Sequence, residues 1–109
     1  MSINRLMAAV VQNQDAEHAI DALHEIGLSA TKLSSSGGFL GSNNVTLLIG
    51  LNEGQEEIAI LVLSESCRRR VEYVTTPLEG APFYLPVPTP INVGGTTIFT
   101  LAVERYEVL

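Results

Sequence analysis

The chain has 109 residues, a formal net charge of −6, 46% hydrophobic and 17% charged residues. That length makes a single domain, 1–109, with one core, and no run reaches the roughly 18 apolar residues that a membrane span needs. Lys and Arg together number 6, which argues against a nucleic-acid polymer as partner, because polyanion binding rests on several phosphate contacts.

Arg5 to Gln12 reads as a buried strand. Asp15 is the expected N-cap of a helix ending near Ile26, with Ala16, Ala19, Ile20, Leu23 and Ile26 on one buried face. Gly27 is the expected helix stop. Ser29 to Ser35 and Val45 to Leu51 read as the next two strands. Between them lies a polar loop with Gly37-Gly38 and the apolar pair Phe39-Leu40. Glycine lets backbone N–H groups approach a phosphate closely, and Phe39 and Leu40 have no evident core to enter.

Asn52 followed by Gln55 resembles a capping box, and Glu53, Glu56 and Glu57 then sit at the positive end of a helix macrodipole. Ile58 to Leu63 is apolar all round and fits a strand as well as a helix; the end signals favour helix. Arg68, Arg69 and Arg70 are read as neutralising that helix's C-terminus, or as a basic rim for a small anion. Val71 to Thr75 is a short strand. The prolines at 77, 82, 86, 88 and 90 make the following stretch too proline-dense for regular structure. Thr96 to Val103, entered through Gly94-Gly95, is a final strand.

Strand, helix, two strands, helix, strand is a ferredoxin-like β-α-β-β-α-β sandwich of the α+β class, with an extra terminal strand. Both helices then cover one face of an antiparallel sheet. No element remains for the other face, so self-association is the expected cover, consistent with the apolar-rich composition.

No catalytic residue emerges. Cys67 beside three arginines has the setting of an activated thiol, but His18 and His24 do not share a helix face that would supply a base and an orienter. No metal-ligand spacing, P-loop or nucleophile elbow is present. The single cysteine gives no disulfide framework. With no signal-peptide layout at the N-terminus, a cytoplasmic location is expected.

Several segments, in order, resemble the PII-like cyclic di-AMP receptors, a family of small bacterial signal-transduction proteins. They are Val11-Gln12-Asn13-Gln14-Asp15, Ala30-Thr31-Lys32-Leu33, Gly37-Gly38-Phe39-Leu40, Asn44-Val45-Thr46, Gly50 and Val93 to Phe99. The resemblance implies a homotrimer without enzymatic activity or cofactor, with cyclic di-AMP bound between subunits and a protein partner, unnamed by the sequence, downstream. It implies a T-loop over Ser35 to Asn43 and a longer, proline-rich B-loop over Leu78 to Pro90, both reordering on binding. The ligand-binding residues it implies are Ala30, Thr31, Gly38, Phe39, Leu40, Asn44, Gly50 and Phe99. Aromatic rings suit purine faces, the Asn44 carboxamide suits an adenine edge, and the Thr31 hydroxyl suits phosphate oxygen. Gly27 and Ser29 stand where many members carry asparagine and arginine, and Val108 where many carry glutamine. Another adenine nucleotide, ATP or ADP, and a trimeric interaction module without a small ligand are the alternatives.

Overall fold

A computed structural model describes residues 3–33, 43–77 and 86–109. The elements are β1 (Arg5–Gln12), α1 (Asn13–Glu25), β2 (Ser29–Leu33), β3 (Asn44–Leu51), α2 (Glu56–Ser66), β4 (Arg70–Pro77), β5 (Pro86–Val93) and β6 (Thr96–Ala102). A four-stranded sheet runs β2-β3-β1-β6, and β4 and β5 form a separate two-stranded ribbon. Every pairing is antiparallel.

The period-two alternation of β1 decides what each face holds. Met7, Ala9 and Val11 are buried toward the helices, as are Leu47, Ile49 and Leu51 of β3. Ala16, Ala19 and Leu23 of α1 and Ala59 and Leu63 of α2 close the same core.

Gly27 ends α1 as expected. Its φ is +83°, the left-handed region where glycine carries no Cβ penalty. Gly27 N–H donates to the His24 carbonyl and Leu28 N–H to the Leu23 carbonyl, each at 3.0 Å. That pair of bonds is a Schellman motif, and Leu23 and Leu28 are buried beneath it. Ile26 departs from the expected buried face: it is the C-cap, 43% exposed.

Asp15 is not the N-cap. The helix opens at Asn13 after an extended Gln12 and has no side-chain cap. Asn13 N–H, one of the first-turn donors with no partner inside the helix, donates to the Asn43 carbonyl at 2.6 Å. Asp15 lies within the first turn, 5% exposed, and accepts from Arg70 Nη2 at 2.9 Å. A guanidinium outbids a backbone amide as partner for a buried carboxylate.

The ambiguous apolar run is helix, α2. The expected capping box does not form: Asn52 N–H donates to Gln55 Oε1 at 2.8 Å, but across a turn ahead of the helix in which Gly54 has φ +94°, and the N-cap is Gln55, with no side-chain cap. The arginines do not serve its C-terminus. The last turn carries no basic residue, and Arg70 belongs to β4 and to Asp15.

Two strand assignments change. The expected fourth sheet strand, β4, leaves the sheet, and β6 takes the edge beside β1. Ile98 of β6 packs on the core, whereas Val71 and Tyr73 of β4 remain 53% and 69% exposed. The proline-rich stretch also forms a strand from Pro86 onward. Pro86, Pro88 and Pro90 face Pro77, Thr75 and Tyr73. Their spacing of two places all three on one phase of the ladder, leaving the alternate residues to carry its hydrogen bonds, which a two-stranded edge tolerates.

Candidate ligand-binding site

On the sheet face turned away from the helices, even-numbered residues of β1 and β3 alternate outward: Leu6, Ala8 and Val10, then Thr46, Leu48 and Gly50. Thr31 and Leu33 extend this face along β2, and Thr97, Phe99 and Leu101 along β6. Phe99 and Leu101 are 57% and 60% exposed. Among the described residues no helix or strand covers this mostly apolar face, on which Ile3 packs against Gly50, and polar groups stand at its margins.

The implied ligand residues distribute over it unevenly. Thr31 pairs with Leu48, so Gly50 is its diagonal neighbour on the adjacent strand. Asn44 faces Gln12 at the far end of β3. It borders a cleft of about 220 Å³ with Gln12, Arg69, Gly94, Gly95 and Thr97. Phe99 sits opposite Ala8 on the other edge strand. Three strand spacings of about 4.8 Å separate the Thr31 and Phe99 rows, roughly 14 Å.

Ala30 turns its side chain to the core, 8% exposed, and His24 Nε2 lies 3.2 Å from its carbonyl oxygen. Only its backbone remains for a ligand. Gly50 is not bare: a Cβ there would meet Ile3 Cδ1 at 2.5 Å. Gly38, Phe39 and Leu40 lie outside the described residues.

The root of the ribbon gathers groups that sequence spacing did not reveal. Gly94 N–H donates to Gln12 Oε1 at 2.8 Å, a pairing across 82 positions. Gly95 N–H donates to the Cys67 carbonyl at 2.6 Å. Arg70 bridges Asp15 and Glu72, and Gln14 donates to Glu72 at 3.0 Å. Hydrogen bonding to Asp15 raises the Arg70 pKa above its ordinary value. The only advance signal was the adjacent Gly94-Gly95 pair, whose φ angles are +87° and +90°.

Cys67 is 1% exposed. Burial, helped by the Asp15 charge and opposed by Arg70, pushes its thiol up to about 11. It is therefore protonated at neutral pH, the reverse of an activated nucleophile. Native protein should resist iodoacetamide at pH 8 and react fully once denatured; rapid native labelling would contradict this burial. Because the folded-state pKa is raised, the associated stability should fall as pH climbs from about 9 toward 11. Among the described residues, no group of three His, Cys, Asp or Glu is placed to hold a metal, and no helix is long and apolar enough to cross a membrane.

Two helices on one face of a four-stranded antiparallel sheet, with polar residues at the margins of an open apolar face, define a ferredoxin-like α+β domain of PII-like type. The chain belongs to the cyclic di-AMP receptor family, whose family model matches residues 4–109. It is also similar to a solved structure described as a functionally unknown protein from Pediococcus pentosaceus ATCC 25745. The two are 30% identical with a TM-score of 0.76, each covered over 100% of its length.

Proposed function

We propose that this protein is a cytoplasmic, non-enzymatic receptor that assembles as a homotrimer and binds cyclic di-AMP between its subunits. Ligand contact would change the conformation of the two loops that the resemblance implies, 35–43 and 78–90, the last five residues of which belong to β5, and so alter the surface shown to a partner protein, a population shift driven by differential contact. The observation that carries this reading is the distribution of the ligand residues over an open, mostly apolar face. On that one face Thr31 and Gly50 lie toward the β2 edge and Phe99 at the β6 edge. One protomer holds them some 14 Å apart, whereas an apposed copy brings its Phe99 beside the first protomer's Thr31. Covering Leu6, Val10, Leu48, Phe99 and Leu101 supplies the driving force.

Within this reading the Thr31 hydroxyl donates to a phosphate oxygen, Asn44 reads an adenine edge, and Phe39 and Phe99 stack on purine rings. Gly27 in place of asparagine is neutral for the backbone, because both residues suit a left-handed helix stop. Ser29, beside Gly50 in register, is different. It lacks the planar donor fork of an arginine at that edge, which lowers the affinity expected for cyclic di-AMP.

Calorimetric titration with cyclic di-AMP, ATP and ADP tests the proposal. Saturable binding of cyclic di-AMP alone, at one site per protomer, is the expected result; no heat with any nucleotide would leave an interaction module. Thr31→Val preserves shape and β propensity while removing the hydroxyl. A hydrogen bond to a charged group contributes about 1.5–3 kcal/mol, so affinity should fall about 10- to 100-fold. Unchanged affinity would remove Thr31 from the site.

A further inference from the structure

We infer that Ile3 is a displaceable plug that competes with the nucleotide for the notch above Gly50, and so sets the receptor's affinity. This inference rests on the ligand reading above and deepens it.

Gly50 points its missing side chain to the open sheet face, since its neighbours Ile49 and Leu51 are fully buried toward the helices. The notch is filled by this chain itself. From the position a Cβ would take, Ile3 Cδ1 is 2.5 Å away, Cγ1 3.3 Å and Cγ2 3.5 Å. A purine cannot enter that volume while the side chain occupies it.

The neighbouring backbone shows how the plug can leave. Asn4 N–H donates to the Leu51 carbonyl, and the Asn4 carbonyl accepts from Val103 N–H, both at 3.0 Å. Asn4 is therefore pinned between β3 and the chain just beyond β6. Ile3 precedes that anchor, is half-buried, and belongs to no strand. It can swing away without breaking a ladder bond. The methyl groups of Ile3 cover the notch without ligand; a flat purine covers it when bound.

A site occupied by its own chain binds with its intrinsic affinity scaled by the fraction of time it stands open. Ile3→Ala shortens the plug below reach of Gly50 and leaves the Asn4 anchor in place. Calorimetric titration of the full-length variant with cyclic di-AMP should show binding about three- to tenfold tighter than wild type. A second measurement does not depend on the variant. With isoleucine δ1-methyl labelling, the wild-type protein should show a nuclear Overhauser effect between the Ile3 methyl and the Gly50 α-protons that disappears at saturating cyclic di-AMP.

Equal or weaker binding by Ile3→Ala, or a cross-peak that survives saturation, overturns the plug alone and leaves the receptor reading standing. No binding by either protein overturns the receptor reading and the plug with it. Binding by Ile3→Ala where wild type shows none supports the plug in its strongest form.

Discussion

Ala8→Glu is expected to abolish self-association while leaving the protomer folded. Ala8 stands at the middle of the open face, opposite Leu48 on one side and Phe99 on the other. In an isolated protomer a glutamate there projects into water, so the cost to folding is small. In a symmetric assembly every copy contributes the same carboxylate to the same interface. Each must then be desolvated among leucine and phenylalanine side chains without a cationic partner, a cost of several kcal/mol per protomer, and the copies repel one another as well. Sedimentation velocity should show wild type at three times the protomer mass and Ala8→Glu at one, with matching far-ultraviolet circular dichroism. A variant that keeps the wild-type mass would place the interface elsewhere, and the shared ligand site would lose its geometric basis.

The elements whose signals are local could be read directly from residues. Gly27 ends α1 through a two-bond motif that depends on its own φ and its immediate neighbours. Glu56 and Glu57 lie in the first turn of α2, a local end signal for an apolar run that periodicity alone does not assign. Local signals fall short where the deciding partner is remote. Asp15 has the chemistry of an N-cap, yet it answers to Arg70, 55 positions away. Val71 to Thr75 has strand propensity in full, but propensity does not say which sheet a strand joins. That choice went to β6 because Ile98 reaches the core, and the faces of β4 do not. Proline count misled because ladder phase matters more than density: prolines spaced by two share one side of a ribbon.

The candidate site divides along the same line. Strand alternation is enough to place Thr31 away from the helices and Ala30 toward them. It does not show that Phe99 lies across the sheet from Thr31, because strand order is a tertiary property. It cannot show that Ile3 covers Gly50, since that contact joins two segments 47 positions apart through a single side chain. The Gly94-Gly95 pair looked like a simple strand entry, yet it is where the ribbon is tied to β1 and α2.

That tie leads to a second large effect, the loss of stability in Gly94→Ala compared with Gly54→Ala. Both glycines have positive φ, +87° and +94°. A non-glycine residue in that region costs about 1–2 kcal/mol, which is the whole expected loss at Gly54, where an added Cβ meets nothing within 4 Å. At Gly94 the same Cβ runs into the backbone carbonyl of Arg68, the group that also accepts from Arg70 Nη1 at 2.9 Å. A carbonyl cannot rotate aside as a side chain does, so the ribbon root must move. Movement there breaks the Gly94–Gln12 and Gly95–Cys67 hydrogen bonds together. The combined loss should be on the order of 3–4 kcal/mol, read as a lowered urea midpoint at fixed protomer concentration. Limited proteolysis of Gly94→Ala should cut first within the ribbon, because the four-stranded sheet keeps its own core. Equal losses in the two variants would mean that the Arg68 carbonyl yields freely, and that the double glycine serves the turn and not the anchorage of the ribbon.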